Sequence, residues 1–455
     1  MLLTILLSGP VSVGVTYFFL FLLILMVLGL ALEHQLHAHK SVITGIMAVV
    51  ALLMAEFLHV PLHDGHGEGG GHLPFYITYI DWGVISIILG SSIFVDVSSK
   101  SGIFSWLAIR ITKLTTGDPF RLLVAYSVLT VLFSALLNNV TAMIIIGSLT
   151  AVSLRKLGKP DLLLGFLLTE GLLTNIGGLL TLISSVPNII VGNTAGIAFI
   201  EFFYISAPYV VVATTVTILL ASRLFGIRSL KTEEENAKAA KLIEDFDEND
   251  GIESRSFFVL SWILFGAFIL TLATTDILPY ISDLGIGFVA MAFGILMLLK
   301  VKDRTQQTYN AVDWDLIFFF AFLFIVIGVM EKAEVLSLIG GVVVSLMDLG
   351  ETSGPLALLW SSAAASSVTD NIPLAAMLAK TMGQLPEFAE RFWWAVIYGA
   401  NLGGNITPIG SASTVVAVTI IAKNNLQLGF IGFIKKAIPF AIIQLVLASL
   451  YLLLL

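Results

Sequence analysis

Several uninterrupted apolar runs approach the length of a bilayer crossing, and no other feature restricts the fold of this chain as much. Residues 15–32, 43–60 and 257–275 come close to the roughly 20 residues that a helix needs to span hydrocarbon. Residues 284–299 fall a few short but are unbroken. Of the 455 residues, 12% are charged, against about 25% in soluble domains. Helix surfaces this poor in charge face lipid or one another. The expected fold is therefore an all-α polytopic membrane protein, in the cell (inner) membrane. There are no cysteines, which removes disulfides, thiolate metal sites and cysteine nucleophiles. Basic residues are few and scattered, so nucleic acid is not an expected partner. No cleaved signal peptide is expected, because the N-terminus lacks a basic n-region.

Two polar segments punctuate the chain. Residues 63–72 (HDGHGEGGGH) form a Gly- and His-rich loop, and residues 228–255 form a charged, solvated linker with one short helix. On either side the sequence repeats itself. Asp81-Trp82 recurs as Asp313-Trp314, and Asn138-Asn139-Val140-Thr141 recurs as Asp370-Asn371-Ile372-Pro373, both 232 positions on. Thr174-Asn175-Ile176-Gly177-Gly178 recurs as Ala400-Asn401-Leu402-Gly403-Gly404, 226 positions on. Beyond it, Thr181, Ser185 and Asn188 align with Thr407, Ser411 and Thr414. Internal repeats of this kind mark secondary transporters. The division that follows is 1–80 for N-terminal transmembrane helices with His-rich loops and 81–225 for transport repeat one. A cytoplasmic linker takes 226–255, and repeat two with its leading helices takes 256–455.

Lysine and arginine set the orientation, since cytoplasmic loops collect them. Arg223, Arg228, Lys231, Lys238, Lys241 and Arg255 place the linker inside, as do Lys300, Lys302 and Arg304 for their loop. Residues 63–72 carry neither and lie outside. Repeat one then begins outside and repeat two inside, so the repeats are inverted. Residues 120–137 and 142–154 are apolar, yet basic residues flank both outer ends (Arg121; Arg155, Lys156, Lys159). A re-entrant hairpin with its tip at residues 138–141 satisfies this, and a matching hairpin turns at residues 369–373. The expected count is about ten spans plus two hairpins, with both termini outside.

Polar residues at membrane depth are costly and mark pathways. They gather at the two tips, Asn138/Asn139/Thr141 and Thr369/Asp370/Asn371, and in TNIGG…TLISSVPN and ANLGGNITPIGSAST. Paired glycines with Pro187 and Pro408 break helices there, and unwound backbone survives in a bilayer only where it lines a cavity or is buried. Broken helices offer amides to anions and carbonyls to cations. Asn175, Asn188, Asn401 and Ser411 add neutral side-chain groups, of the kind that suit hard cations such as Na⁺. Packing of small residues is the bland alternative for any single cluster; four clusters placed by a repeat favour a site. Asp370 is a carboxylate at a tip whose counterpart is neutral Asn138, able to bind a cation or carry a proton. Glu170, in an apolar helix before TNIGG, is a second proton-coupling candidate. Asp96 and Glu331 lie near span ends and read as interfacial. The histidines (His34, His37, His39, His59, His63, His66, His72) all precede repeat one and read mainly as polar loop residues.

These blocks resemble the ion-transporter superfamily, in particular the group of arsenite permeases (ArsB), NhaD-type sodium/proton antiporters and P-proteins. EGLLTNIGGLLTLISSVPNIIVG (170–192) is similar to that group's first broken helix. SSVTDNIP (366–373) is similar to its second hairpin, and GANLGGNITPIGSAST (399–414) to its second broken helix. The resemblance spans Asp81 to the C-terminus. It implies two inverted repeats, each with a re-entrant hairpin and an unwound helix, in a homodimer. It also implies that the Asn139 and Asn371 tips and the Thr181 and Thr407 turns coordinate cations and substrate. The expected Na⁺ site is Asn139, Asn371, Asp370 and Thr407, with no cofactor. The sodium-coupled dicarboxylate carriers of the superfamily have Ser-Asn-Thr at both tips; the departure here argues against a dicarboxylate.

Sodium/proton antiport is the leading expectation, because carboxylates occur in the membrane without Lys or Arg at the expected midplane. Anion or oxyanion transport, of arsenite or a carboxylate, is the alternative. An intramembrane enzyme is disfavoured, since no HExxH or GxSxG lies at membrane depth.

Overall fold

In the computed structural model the described residues are 11–62, 74–137, 139–244, 246–275, 277–369, 371–386, 388–426 and 428–455. They are helical, with connecting turns and no strand among them. Two leading helices, α1 (Val13–Ala31) and α2 (Lys40–Phe57), precede the first repeat, which comprises α3 (Trp82–Lys100), α4 (Ile103–Leu114), a hairpin of α5 (Pro119–Leu136) and α6 (Asn139–Lys156), a broken helix of α7 (Leu163–Gly177) and α8 (Val186–Ala195), and α9 (Phe199–Leu224). The linker carries α10 (Glu233–Glu244). The second repeat, with its leading helices, follows the same order: α11 (Arg255–Ala273), α12 (Ile281–Lys300), α13 (Trp314–Lys332), α14 (Val335–Met347), the hairpin α15 (Ser353–Val368) and α16 (Asn371–Met382), the broken helix α17 (Arg391–Gly403) and α18 (Ala412–Lys423), and α19 (Phe430–Leu452). Nine described helices are long and apolar enough to cross a membrane. That set includes the hairpin arm α5 and omits the two broken helices, whose halves are short; among the described residues this makes ten helices of crossing length, counting each broken helix as one, and two hairpins.

The repeated Asp-Trp pair is a helix start. Asp81 accepts from Val84 N at 3.1 Å and Asp313 from Leu316 N at 3.0 Å, each capping a helix whose first residue is the tryptophan. Asp118 caps α5 in the same way, with Pro119 where a missing N–H costs nothing.

The orientation of the repeats is legible from their ends. The base of hairpin one meets the linker: Leu230 N donates to Asp118 Oδ2 at 2.8 Å, and Lys156 Nζ sits 4.4 Å from the Phe246 ring centre. Lys100, ending α3, reaches Thr308 on this face at 3.4 Å. The base of hairpin two lies on the other face. There Lys380 pairs with Glu331 at 3.2 Å, Gln384 donates to Glu331 at 2.6 Å, and Asn193 donates to Asp81 at 3.5 Å. Thus α3 runs towards the linker and α13 runs away from it, which makes the repeats inverted.

Long scaffold helices pair crosswise, α12 along α3 and α2 along α13. At the first crossing a Cβ on Gly90 would stand 2.4 Å from the Ala290–Met291 backbone, so only glycine permits the approach. The inner layer is also exchanged: α18 packs on α6 and α7, while α8 packs on α16 and α17.

Candidate functional site

Each hairpin is fastened to its own broken helix by the same two bonds. In repeat one Ser134 Oγ donates to Thr174 O and Thr181 Oγ1 donates to Ala135 O, both at 2.6 Å. In repeat two Ser366 Oγ donates to Ala400 O and Thr407 Oγ1 donates to Ser367 O, again both at 2.6 Å. The offsets are the 232 and 226 of the sequence repeat. Between the paired bonds the helices touch through glycine. A Cβ on Gly177 would lie 2.6 Å from Val131 O, and one on Gly403 would lie 2.4 Å from Ala363 O. The paired glycines thus set hairpin position as well as ending a helix.

The unwound segments tie the repeats together. Ser185 Oγ donates to Asn401 Oδ1 at 2.8 Å, and Asn401 Nδ2 donates to Asn188 Oδ1 at 2.9 Å. Asn188 in turn donates to Gly178 O at 2.6 Å. Also from repeat one, Asn175 Nδ2 donates to Ser411 Oγ at 3.0 Å and to Asn405 Oδ1 at 2.8 Å, both of repeat two. Asn139 Nδ2 donates to Asn175 Oδ1 at 3.4 Å, joining the hairpin tip to this chain of amides. It continues through Asn405 Nδ2 to Gln444 Oε1 at 2.8 Å and Gln444 Nε2 to Thr217 Oγ1 at 3.1 Å. Asn175, Asn188, Asn401 and Asn405 are wholly buried, and a buried amide with partners of this kind is a specific fastening. Sequence reasoning passed over Ser134, Ser366, Asn405 and Gln444. Gln444 had a signal, being a lone amide in an apolar helix.

At the tips, Asn138 and Asp370 lie outside the described residues. Asn139 and Thr141 are partly buried, and Asn139 Oδ1 also lies 2.6 Å from Ser134 Oγ. Thr369 bonds within its own helix, to Ala365 O at 2.9 Å, and buried Asn371 begins α16. Thr181 and Thr407 each stand beside their own repeat's hairpin. The helices α6, α8, α16 and α18 begin at tips and turns where α5, α7, α15 and α17 end. Helix starts favour anions and helix ends favour cations, so each tip-and-turn pair holds both kinds of backbone group.

Glu170 stands apart from these neutral groups. Its side chain is fully buried in α7. Oε1 accepts from Thr150 Oγ1 of hairpin one at 2.6 Å, and Oε2 has no hydrogen-bond partner among the described residues. Next to it, a Cβ on Gly171 would stand 2.6 Å from the Cβ of Ala417, so α18 of the other repeat closes over this segment. The carboxylate therefore sits where hairpin one, its broken helix and the opposite repeat meet. Asp96 and Glu331 pair with Lys100 and Lys380 near helix ends. Of the histidines, His39 lies 3.8 Å from Asp315 at the start of α2, while His63, His66 and His72 lie outside the described residues. Two surface cavities lie away from this region. One of about 300 Å³ lies between α1 and α14, and one of about 570 Å³ between α2 and α13.

Comparison with known proteins agrees with this architecture. The family model described as citrate transporter matches residues 42–399. An uncharacterized transporter of Mycobacterium tuberculosis is 31% identical over 418 residues, covering 90% of this chain and 92% of the relative. The P protein of Sus scrofa is 24% identical over 456 residues, covering 83% of this chain and 53% of that protein. Among solved structures, the YdaH transporter of Alcanivorax borkumensis, described as having an unusual topology, superposes with a TM-score of 0.62 at 13% identity. The superposition covers 91% of this chain and 97% of that one, and it shows the shared fold. With two inverted repeats, paired hairpins and broken helices, and a family match over most of its length, this multi-pass secondary transporter belongs to the CitMHS citrate transporter family of the ion-transporter superfamily.

Proposed function

We propose that this transporter exchanges Na⁺ for protons, with Glu170 as the group that carries the proton. The observation that supports this reading is the Glu170 carboxyl: fully buried, held on one oxygen by a neutral hydroxyl, and without a hydrogen-bond partner on the other among the described residues. Protonated, such a group is neutral and rests in an apolar interior; ionised, it needs a countercharge. A small hard cation is a suitable countercharge beside neutral oxygens. The Na⁺ site in this reading draws on Asn139, Thr141, Thr181, Asn371 and Thr407 near the tips, and on Asp370. Asn175, Asn188, Asn401 and Ser411 then act mainly by holding the repeats against each other. A homodimer in the lipid bilayer is the proposed assembly.

Uptake or export of a carboxylate such as citrate is the second reading. It is favoured by the name of the matching family model and by the four helix starts at the tips and turns, which suit an anion. Proteoliposomes with an internal pH dye separate the two. In the first reading, an inward Na⁺ or Li⁺ gradient drives proton efflux without added anion. Proton movement that requires citrate, arsenite or another anion and ignores Na⁺ moves the function to the second.

A further inference from the structure

Repeat one contains a file of buried hydroxyls that repeat two lacks. Starting from Glu170, Thr150 Oγ1 lies 2.6 Å from the carboxyl. Ser153, on the same face of α6, lies 2.6 Å from Tyr126 OH. Tyr126 OH in turn lies 2.9 Å from Thr112 Oγ1 of α4. Thr115 follows one turn later, its Oγ1 donating to the Thr112 main-chain carbonyl at 2.7 Å, and Asp118 lies just beyond, where the linker's Leu230 N is bound. Thr112, Tyr126, Thr150 and Ser153 are fully buried, Thr115 and Asp118 nearly so, while the neighbouring Thr116 is exposed on the linker face. The file therefore runs from the buried carboxyl to the edge of the linker.

The repeat supplies an internal control. At the offsets that the paired hairpin bonds establish, Glu170 corresponds to Val396, Thr150 to Met382, Ser153 to Leu385, Tyr126 to Leu358 and Thr112 to Val344. Glu170, Thr150, Tyr126 and Thr112 have apolar counterparts on the corresponding helices, while Leu385, the counterpart of Ser153, falls just past the end of the shorter α16. The fold accordingly does not need these hydroxyls in order to pack. Burying polar groups has a cost that apolar residues avoid, and here the cost falls along one line ending at a carboxyl.

We infer that this file is the proton path between Glu170 and the linker face, an inference that rests on Glu170 as the proton carrier. Each hydroxyl accepts an incoming proton on its oxygen and releases its own hydrogen to the next, so every relay group ends neutral and the proton comes to rest on the Glu170 carboxylate. Tyr126 suits the role because either partner in each of its two hydroxyl contacts can be the donor. The steps from Ser153 to Thr150 along α6 and from Thr115 to Thr112 along the end of α4 are each one helical turn, roughly 4.5 Å of rise, gaps that one water each bridges. The titratable groups along the path are Glu170, Tyr126 and Asp118. Lys113 and Arg110 on α4 are engaged by Glu248 of the linker.

The test is Tyr126→Phe in proteoliposomes, read as Na⁺-driven proton flux and, separately, as the protection that Na⁺ gives against thermal unfolding in detergent. The expected result is flux slowed at least tenfold with Na⁺ protection unchanged. Wild-type flux overturns the path, and so does a parallel loss of flux and Na⁺ protection, which is the mark of a structural role. Should Tyr126→Phe not fold, Ser153→Ala is judged by the same two readings. Glu170→Gln separates the claims. If it stops flux while Tyr126→Phe does not, the path alone fails; if it transports normally, the proton-carrier reading fails.

Discussion

Ser185 of the first repeat donates to Asn401 of the second at 2.8 Å, and its image pairs the same residue types with the repeats exchanged and the donor reversed, Asn175 Nδ2 donating to Ser411 Oγ at 3.0 Å. The two bonds relate the unwound segments across the pseudo-twofold, so the broken helices are fastened to each other as well as to their hairpins. Asn401→Ala leaves Ser185 Oγ and Asn188 Oδ1 without this partner in a fully buried place. Each orphaned group costs about 1–3 kcal/mol. The expected outcome is a clear fall in thermal stability in detergent, larger than that of Asn424→Ala at the end of α18, whose side chain bonds, among the described residues, only to its own helix, at Ile420 O.

Gly177 and Gly403 predict a matched pair of defects. An alanine at either position drives a methyl group into a neighbouring carbonyl, 2.6 Å away in the first repeat and 2.4 Å in the second. The hairpin must shift, at a cost of roughly 1–3 kcal/mol for overpacking. Both variants should lose transport together with stability, measured by flux and by melting temperature. Gly266→Ala in α11 provides the comparison for crowding, since that glycine is helical and no atom from elsewhere in the chain lies within 4 Å of its added Cβ.

Opposite entry of the hairpins has a direct chemical consequence in a chain without native cysteine. Lys159 follows the end of hairpin one and Gln384 the end of hairpin two, and both are exposed. Lys159→Cys should react with an impermeant maleimide only from the linker side, and Gln384→Cys only from the other. Labelling of both from one side of oriented membranes contradicts the inverted arrangement.

The linker should stay docked through mild acid. The Lys113 hydrogen bond, helped by Arg110, holds the Glu248 carboxyl below its ordinary range. A carboxyl lowered in the folded state contributes stability above its unfolded value, about 4.3 for Glu, and loses it as pH falls through the folded value. Limited proteolysis of the linker should therefore be alike at pH 7 and pH 5 and should rise below about pH 4. Glu248→Gln should raise cleavage already at pH 7.

Much of the fold could be read from the chain because transmembrane helices announce themselves by length and inverted repeats by recurring blocks. The Asp-Trp pair, TNIGG and ANLGG each mark a structural event: a capped helix start, and a helix end where a hairpin closes on glycine. The tip pair that the sequence singled out, Asn138 and Asp370, lies outside the described residues, so Glu170 carries the carboxylate argument here. What the sequence concealed was partnership. Nothing local to Asn405 or Gln444 tells that they continue the chain of amides from Asn175, 230 residues from Asn405. Ser134 and Ser366 look like ordinary small helix residues until the carbonyls of Thr174 and Ala400 are placed opposite them. The asymmetry of the hydroxyl file was present in the sequence all along, but it becomes visible only when the hairpin bonds fix the register of the two repeats.

The most direct test of the account is Na⁺-driven proton flux through Glu170→Gln reconstituted beside the wild type, with melting curves to confirm that the variant is folded. Glutamine keeps the shape and can still accept from Thr150, but it cannot release a proton. The account predicts proton flux at background in the folded variant, with the wild type exchanging Na⁺ for protons. Wild-type flux by folded Glu170→Gln contradicts it.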